Sequence, residues 1–130
     1  MSVKTFEELE IWQMSTKLAI EIYNLSEKGA LAKDWGMKDQ VRRCASSVAA
    51  NIAEGFEYDN NKDFIRYLRI AKGSCGELRT HCFIIKGAGF IDEETQTMIA
   101  DKTKEISARI GKLINYLKNY EEEKLLKNKK

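Results

Sequence analysis

The sequence contains no proline, three cysteines and a single histidine among 130 residues. Because proline interrupts helices, no position in the chain forbids a long helix, and the eight glycines become the main candidates for helix ends. Cys44, Cys75 and Cys82 are odd in number and lack the paired spacing of a structural zinc site. We therefore predict that all three are reduced and lie on apolar helix faces.

Long apolar runs are also missing. No segment approaches the roughly 18 apolar residues that cross a membrane, and residues 1–6 lack the apolar stretch of a signal peptide. We therefore expect one cytoplasmic domain. The formal net charge of +2 is too small to indicate nucleic-acid binding by itself, so only a local cluster of cations could do so.

The residues that most enzymes and metal centres require are scarce. His81 is the only histidine, and Glu77 precedes it by four residues, whereas carboxylate-bridged metal bundles use Glu-x-x-His. The apolar spacing of Cys75 and Cys82 directs both away from His81, which disfavours a cysteine nucleophile. We therefore predict no metal, no cofactor and no enzymatic activity.

Apolar residues recur at helical spacing in four segments, which predicts helices at about 6–28, 36–55, 62–86 and 93–120. Thr5 and Glu8 have the spacing of a capping box, and the loop between the first two helices is placed at 29–34. Similar lengths and short connections favour an all-α, antiparallel up-down-up-down four-helix bundle in one domain, residues 1–120. The charged segment 121–130 is expected to be a mobile tail.

The third predicted helix carries an apolar seam and a row of cations. The seam alternates steps of four and three residues, as in a packed helix; its members are Phe64, Leu68, Ala71, Cys75, Leu78, Cys82 and Ile85. The cations on its flank, here named the basic stripe, are Lys62, Arg69, Lys72, Arg79 and Lys86. Arg42 and Arg43 on the second helix add to the local positive charge.

Two interpretations of the basic stripe remain open at this point. The stripe is either an ordinary solvated face or, repeated around an oligomer, a surface that contacts the phosphates of RNA or DNA. No ladder of aromatic residues is interleaved with the cations, so stacking on bases is not predicted.

Apolar and polar residues elsewhere also allow alternatives. Ile70 and Ile84 widen the apolar arc of the third helix and face either another subunit or the next helix of the same bundle. Gly73 and Gly76 are interpreted as sites of close packing. Asn51 and Glu54 are predicted to form a buried structural network, with Ser74 as a candidate partner, or else to include a functional carboxylate.

Two sequence blocks and an opening segment then point to a family. The blocks are QVRRCASSVAANIAEG at 40–55 and FIRYLRIAKGSCGELRT at 64–80, and the opening is FEELEIW at 6–12. Together they resemble the bacterial four-helix-bundle proteins related to the 23S rRNA intervening-sequence protein, over roughly residues 6–118.

The resemblance implies a homopentamer and a relationship to the accessory proteins of diversity-generating retroelements, which bind nucleic acid and a reverse transcriptase. It makes Arg42, Arg43 and Arg66 candidate polyanion contacts. The other matching polar residues, interpreted as structural, are Asn51, Glu54, Ser74 and Glu77. The implied partners are further copies of the chain, an RNA or DNA backbone, and a reverse transcriptase or ribosomal component.

We therefore predict a non-enzymatic, oligomeric binding or scaffolding protein that contacts RNA or a nucleoprotein through the basic stripe. One alternative is a protein–protein adaptor without a nucleic-acid role, which docks a partner on the exposed apolar arc. The other is a hydrolase built at a subunit interface from Glu54 and basic residues of a neighbouring subunit.

Overall fold

The computed structural model describes residues 2–129, in which all regular structure is helical. A short 3₁₀ turn at Phe6–Glu8 precedes five α-helices. These are α1 (Glu10–Ser26), α2 (Gly29–Lys33), α3 (Trp35–Glu57), α4 (Asn61–Gly87) and α5 (Glu93–Asn128). The all-α prediction is confirmed, and α1, α3, α4 and α5 correspond to the four predicted helices. Within 2–129, no helix combines the length and the apolar character that a membrane crossing requires.

The beginning of the chain differs from the prediction in two places. The Glu8 carboxylate accepts hydrogen bonds from the N–H groups of Thr5 at 2.8 Å and Lys4 at 3.0 Å, but this cap closes the 3₁₀ turn. An extended Leu9 separates that turn from α1. The predicted loop at 29–34 is mostly the short helix α2, because buried Leu31 anchors it to the core. Gly29 permits the turn into α2 by adopting a φ of +60°.

The predicted end of the last helix near residue 120 is wrong, because α5 continues to Asn128. Residues 122–129 are exposed, so core packing does not hold them in a helix. Glutamate, lysine and leucine all favour helices, and the glutamates at 121–123 precede Lys124 and Lys127 at helix-pairing distances. Lys130, the last residue of the predicted tail, lies outside the described residues.

Every member of the predicted apolar seam is buried. Leu68, Leu78 and Cys82 are fully inaccessible to solvent, and α4 therefore contributes its seam to the core over nearly its whole length. The other three long helices supply mainly isoleucine, leucine and valine to the same core. By contrast, Ile70 and Ile84 remain 45% and 51% exposed, so the helices of this chain do not cover the wider apolar arc.

The contacts between α3 and α4 step in opposite directions along the two helices. Ser47 meets Ser74, whereas Gly55, two turns later on α3, meets Tyr67 on α4. Ion pairs join α5 to α1 in the same manner, from Lys102 to Glu21 and from Arg109 to Glu10. These contacts place α3 between α1 and α4, and α5 against both α1 and α4.

Gly55 allows the closest approach between α3 and α4. A Cβ atom at this position would lie 2.6 Å from the Cβ of Tyr67 and 3.3 Å from Cδ1 of Phe64. The Cβ of Tyr67 is bonded to the backbone of α4, so rotation of a side chain cannot relieve this clash. Gly73 and Gly76 are different, because nothing lies within 4 Å of a Cβ built on either. The predicted close packing of these two glycines is therefore not provided by the described part of this chain.

We expect the substitution Gly55→Ala to lower the free energy of unfolding by about 1–3 kcal/mol, because the added methyl forces α3 and α4 apart. Gly111→Ala on α5 is the matched control. Its new Cβ would meet only the flexible end of Lys72, at 3.6 Å, and should stabilise the helix by about 0.5–1 kcal/mol. Urea unfolding measures both. A Gly55→Ala protein as stable as the parent would contradict the close approach.

Candidate functional site

The basic stripe lies on the surface of α4. Lys62, Arg69, Lys72 and Lys86 are exposed, and Arg79 is half-buried. The ion pair that α4 makes uses other residues, joining Arg66 to Asp63, and His81 lies 3.7 Å from Glu77. Considering residues 2–129, none of the five stripe cations forms an ion pair within the chain. Their charges are therefore available to an external anion.

Contacts place Lys72 and Lys62 of the stripe on the flank of α4 that faces α5. The end of the Lys72 side chain lies beside Gly111 of α5. Burial raises the pKa of the Cys75 thiol to about 11, and the positive charges of Lys72 and Arg79 oppose that rise. Both cations therefore lie near one seam residue, two turns apart on the same flank. At the other end of the helix, Lys62 shares a shallow surface pocket with Lys118 of α5.

Arg42 is engaged within the chain. Its Nε donates a 2.7 Å hydrogen bond to the Ser26 hydroxyl, its terminal nitrogen pairs with Glu27, and its guanidinium lies 4.5 Å from the ring centre of Tyr23. The hydrogen bond from Arg42 is the main reason that the pKa of Glu27 is lowered, with Lys38 second. Arg42 thus joins the end of α1 to α3 and has few donors left for a phosphate.

Arg43 and Arg66 each pair with a carboxylate one turn away. Arg43 contacts Asp39 at 2.7 Å, and Arg66 lies 3.5 Å from Asp63 and stacks 4.5 Å from the ring centre of Tyr67. Arg66 lies one turn from both Lys62 and Arg69 on α4, so its ion pair with Asp63 and its contact with Tyr67 distinguish it from the basic stripe, not a separate helix face. The eight predicted cations therefore comprise the five stripe residues, which form no ion pair within residues 2–129, and three residues with local partners.

A polar network crosses the contact between α3 and α4. The hydroxyls of Ser47 and Ser74 are 2.9 Å apart, and Ser74 also donates to the carbonyl of Ile70 at 3.2 Å. The Asn51 amide donates to the carbonyl and hydroxyl oxygens of Ser47 at 2.8 and 2.9 Å. Asn51 thus reaches Ser74 through Ser47, a residue that sequence reasoning did not select.

Glu54 lies outside this network. The expectation that Glu54 is buried is wrong, because its side chain is exposed near the end of α3. A separation of three residues rotates Glu54 away from Asn51 by about 60°, which is enough to move it from the half-buried face to solvent. Its carboxylate has no hydrogen-bond partner within residues 2–129 and only contributes to raising the pKa of Tyr58, after the larger effect of Tyr67.

The structure also brings Cys44 of α3 next to Glu77 and His81 of α4, a grouping that sequence reasoning did not predict. Donor atoms of Cys44, Glu77 and His81 all lie within 4.8 Å of one another. We name them the Cys44–Glu77–His81 cluster. Sequence reasoning considered only the cysteines on the same helix as His81, whereas Cys44 comes from α3. The one available clue was the Glu77–His81 spacing, which places both residues on one helix face.

Within residues 2–129, His81 makes no hydrogen bond to the other two members of this cluster. Burial raises the pKa of the Cys44 thiol to about 12, and the Glu77 carboxylate adds to this rise, so the thiol is protonated at neutral pH. His81 Nε2 is 3.7 Å from Glu77 Oε1, which is longer than a hydrogen bond. Neither ring nitrogen of His81 has a hydrogen-bond partner among the residues described. The two ring nitrogens of His81 are therefore buried polar atoms without a hydrogen-bond partner among the residues described.

The chain is similar to a known protein family and to a solved structure. A family model described as "23S rRNA-intervening sequence protein" matches residues 7–112, and the predicted resemblance over 6–118 is thereby confirmed. No curated protein matches the chain. A crystal structure of a protein of unknown function from the S23 ribosomal protein family of Bacteroides thetaiotaomicron is similar, with a TM-score of 0.75 and 24% identity. The match covers 81% of this chain and 95% of that one, and it shows the shared fold.

We expect Arg42→Ala to lower the free energy of unfolding by about 1–2 kcal/mol, because it leaves Ser26 without its charged donor and removes the link between α1 and α3. Arg43→Ala deletes the same charge from an exposed pair within one helix. It should lower the free energy of unfolding by no more than about 0.5 kcal/mol. Thermal and urea unfolding compare the two. Equal losses would show that Arg42 is no more structural than its neighbour.

Proposed function

The chain belongs to the 23S rRNA-intervening sequence protein family, and we propose that it is a non-enzymatic, oligomeric binding or scaffolding protein that contacts the phosphate backbone of RNA. The observation that carries the proposal is the basic stripe: five cations on one flank of α4 without an ion pair to residues 2–129. Cations that are not neutralised within the protein can displace the counterions condensed on a polyanion, and their release favours binding.

The arrangement supports contacts to the backbone more than to the bases. Lys72 and Arg79 are seven residues apart, so their side chains start about 10 Å from one another along the helix. Tyr58 and Tyr67 stack on each other with ring centres 5.2 Å apart, away from Lys72 and Arg79. Phe83 is exposed beside Arg79 and Lys86, but one ring does not make the row of aromatic side chains on which successive bases stack. Phosphate contacts position a nucleic acid without reading its sequence.

We further propose that the four long helices form an up-down-up-down bundle that assembles as a homo-oligomer, with the pentamer of the family resemblance as the expected state. The opposed contacts between neighbouring helices support the bundle. The support for assembly is one face of α4, where the exposed Ile70 and Ile84 flank the unpacked Gly73. Another subunit on this face would bury the isoleucines and repeat the basic stripe around the assembly.

A protein adaptor is the second candidate function. Phe83 and Ile84 are 55% and 51% exposed next to each other near the end of α4, and a partner of a different kind could dock there. In that case the cations would serve solubility only. A hydrolase built on Glu54 receives no support, since this exposed carboxylate has no hydrogen-bond partner within residues 2–129.

We expect the double substitution Lys72→Glu and Arg79→Glu to weaken binding to a fluorescently labelled single-stranded RNA in an anisotropy titration. Two lost phosphate contacts should lower the slope of the logarithm of the binding constant against the logarithm of salt concentration by about 1.4. The matched control is Lys28→Glu with Lys33→Glu, which makes the same charge change at exposed positions around α2.

Circular dichroism checks that both double variants, the stripe variant and its control, keep their helices. Equal binding by the two double variants would show that the stripe is not the contact surface. RNA binding that is absent from the parent protein even at low salt would remove the proposed function altogether. Recovery of a protein partner that resists nuclease treatment would then favour the adaptor.

Assembly is tested by Ile84→Glu, which we expect to shift the protein from the oligomer to the monomer in analytical ultracentrifugation, because the new carboxylate would be buried without a partner at the subunit contact. Ile20→Glu is the control, since Ile20 is similarly exposed but lies on α1. A parent protein that sediments as a monomer, or an oligomer that tolerates Ile84→Glu, would contradict the proposed interface.

A further inference from the structure

We propose that Cys44, Glu77 and His81 bind a divalent transition-metal ion of the Zn²⁺ class and thereby link α3 to α4. This site is separate from the basic stripe, because His81 lies on the α3 side of the α4 seam, whereas the stripe lies on the α5 side. It does not depend on the proposed binding of RNA.

The distances suit a metal site that closes around its ion. One sulfur, one nitrogen and one oxygen atom already lie within 4.8 Å of each other. In a tetrahedral zinc site, bonds of about 2.0–2.3 Å place neighbouring ligand atoms roughly 3.3–3.8 Å apart. The contraction of about 1 Å can come from Glu77, whose exposed side chain is free to turn, while Cys44 and His81 are held by the packing of α3 against α4.

Glu77 and His81 are also correctly arranged along the chain. Residues four apart on a helix project from the same face, one turn above the other, and can hold one ion between them. Cys44 reaches the same point from the neighbouring antiparallel helix. The ion would therefore be held by two helices and not by one flexible segment.

The identity of the three donors selects the class of metal. Mg²⁺ and Ca²⁺ take oxygen ligands almost exclusively, whereas a thiolate with an imidazole suits Zn²⁺ and similar ions. Three protein ligands leave a fourth position for a water molecule or for a group from another subunit. On binding, the Cys44 thiol releases its proton to solvent and the resulting thiolate forms the sulfur–metal bond.

The ring nitrogens of His81 lack hydrogen-bond partners among the residues described. His81 has 18% of its side chain exposed, and both of its ring nitrogens are buried and unpaired within residues 2–129. Leaving such atoms unsatisfied is unfavourable, and metal coordination would satisfy one of them. The competing explanation is a simple hydrogen bond from Glu77 to His81 or to the Cys44 thiol. The 3.7 Å separation does not provide the first, and the second leaves both ring nitrogens of His81 without a partner among the residues described.

The test is a titration of the reduced, chelator-treated full-length protein with CoCl₂, a spectroscopic substitute for Zn²⁺. We expect one equivalent of cobalt per chain and a near-ultraviolet sulfur-to-cobalt charge-transfer band, which requires a thiolate ligand. ZnCl₂ should displace the cobalt and raise the thermal midpoint of unfolding, because an ion that binds only the folded state stabilises it.

The variants assign the ligands. Cys44→Ala should abolish the charge-transfer band. His81→Gln should weaken cobalt binding by roughly 100-fold and Glu77→Gln by roughly 10-fold, since each variant removes one ligand from the set. Cys75→Ala is the matched control, because it deletes a buried thiol of the α4 seam outside the cluster. It should leave the band unchanged.

If Cys44→Ala fails to fold, the two glutamine variants still decide the question, because their side chains are partly or fully exposed and retain polar groups. Absence of the charge-transfer band in the parent protein would overturn the proposal and favour a Glu77–His81 contact without metal. A band that persists at full strength in His81→Gln and Glu77→Gln would equally overturn it, because cobalt would then be bound elsewhere.

Discussion

The close approach of α3 to α4 is the constraint on which the other features depend. Gly55 removes the side chain that would keep the helices apart, so that Tyr67 and Phe64 contact the backbone of α3 directly. Once this end is fixed, the antiparallel register brings Ser47 to Ser74 and, further along, Cys44 to His81. The polar network and the cluster are therefore both consequences of one register between two helices.

α4 separates three kinds of chemistry around its circumference. Its seam is apolar and buried, and its outer face exposes Ile70 and Ile84. Its α5 flank carries cations such as Lys72, which forms no ion pair with residues 2–129. An uninterrupted helix of this length keeps the three surfaces apart, because each is repeated every three or four residues along the same rod. Binding of a polyanion on one flank need not disturb contacts on another.

Much of this architecture is predictable from the spacing of residues within one helix. The seam from Phe64 to Ile85 follows from its alternating steps, and all of its members are buried. Contacts between helices are harder to predict, because they depend on the register of one helix against the other. No pattern within α3 or α4 indicates that Cys44 faces His81. Nor does any pattern indicate that Ser47 links Asn51 to Ser74. The end of α5 was missed for a different reason, since charge density indicates solvent exposure but does not exclude a helix.

The ion pairs between α1 and α5 have a kinetic consequence. Lys102 and Glu21 are separated by 81 residues of chain, and Arg109 and Glu10 by 99, whereas only 27 residues separate Ser47 from Ser74. Closing a longer loop costs more configurational entropy, so we expect the α3–α4 contacts to form before the α1–α5 ion pairs. Partial opening under native conditions begins in reverse order, and amide hydrogens at the α1–α5 edge should exchange with solvent before those of the hairpin.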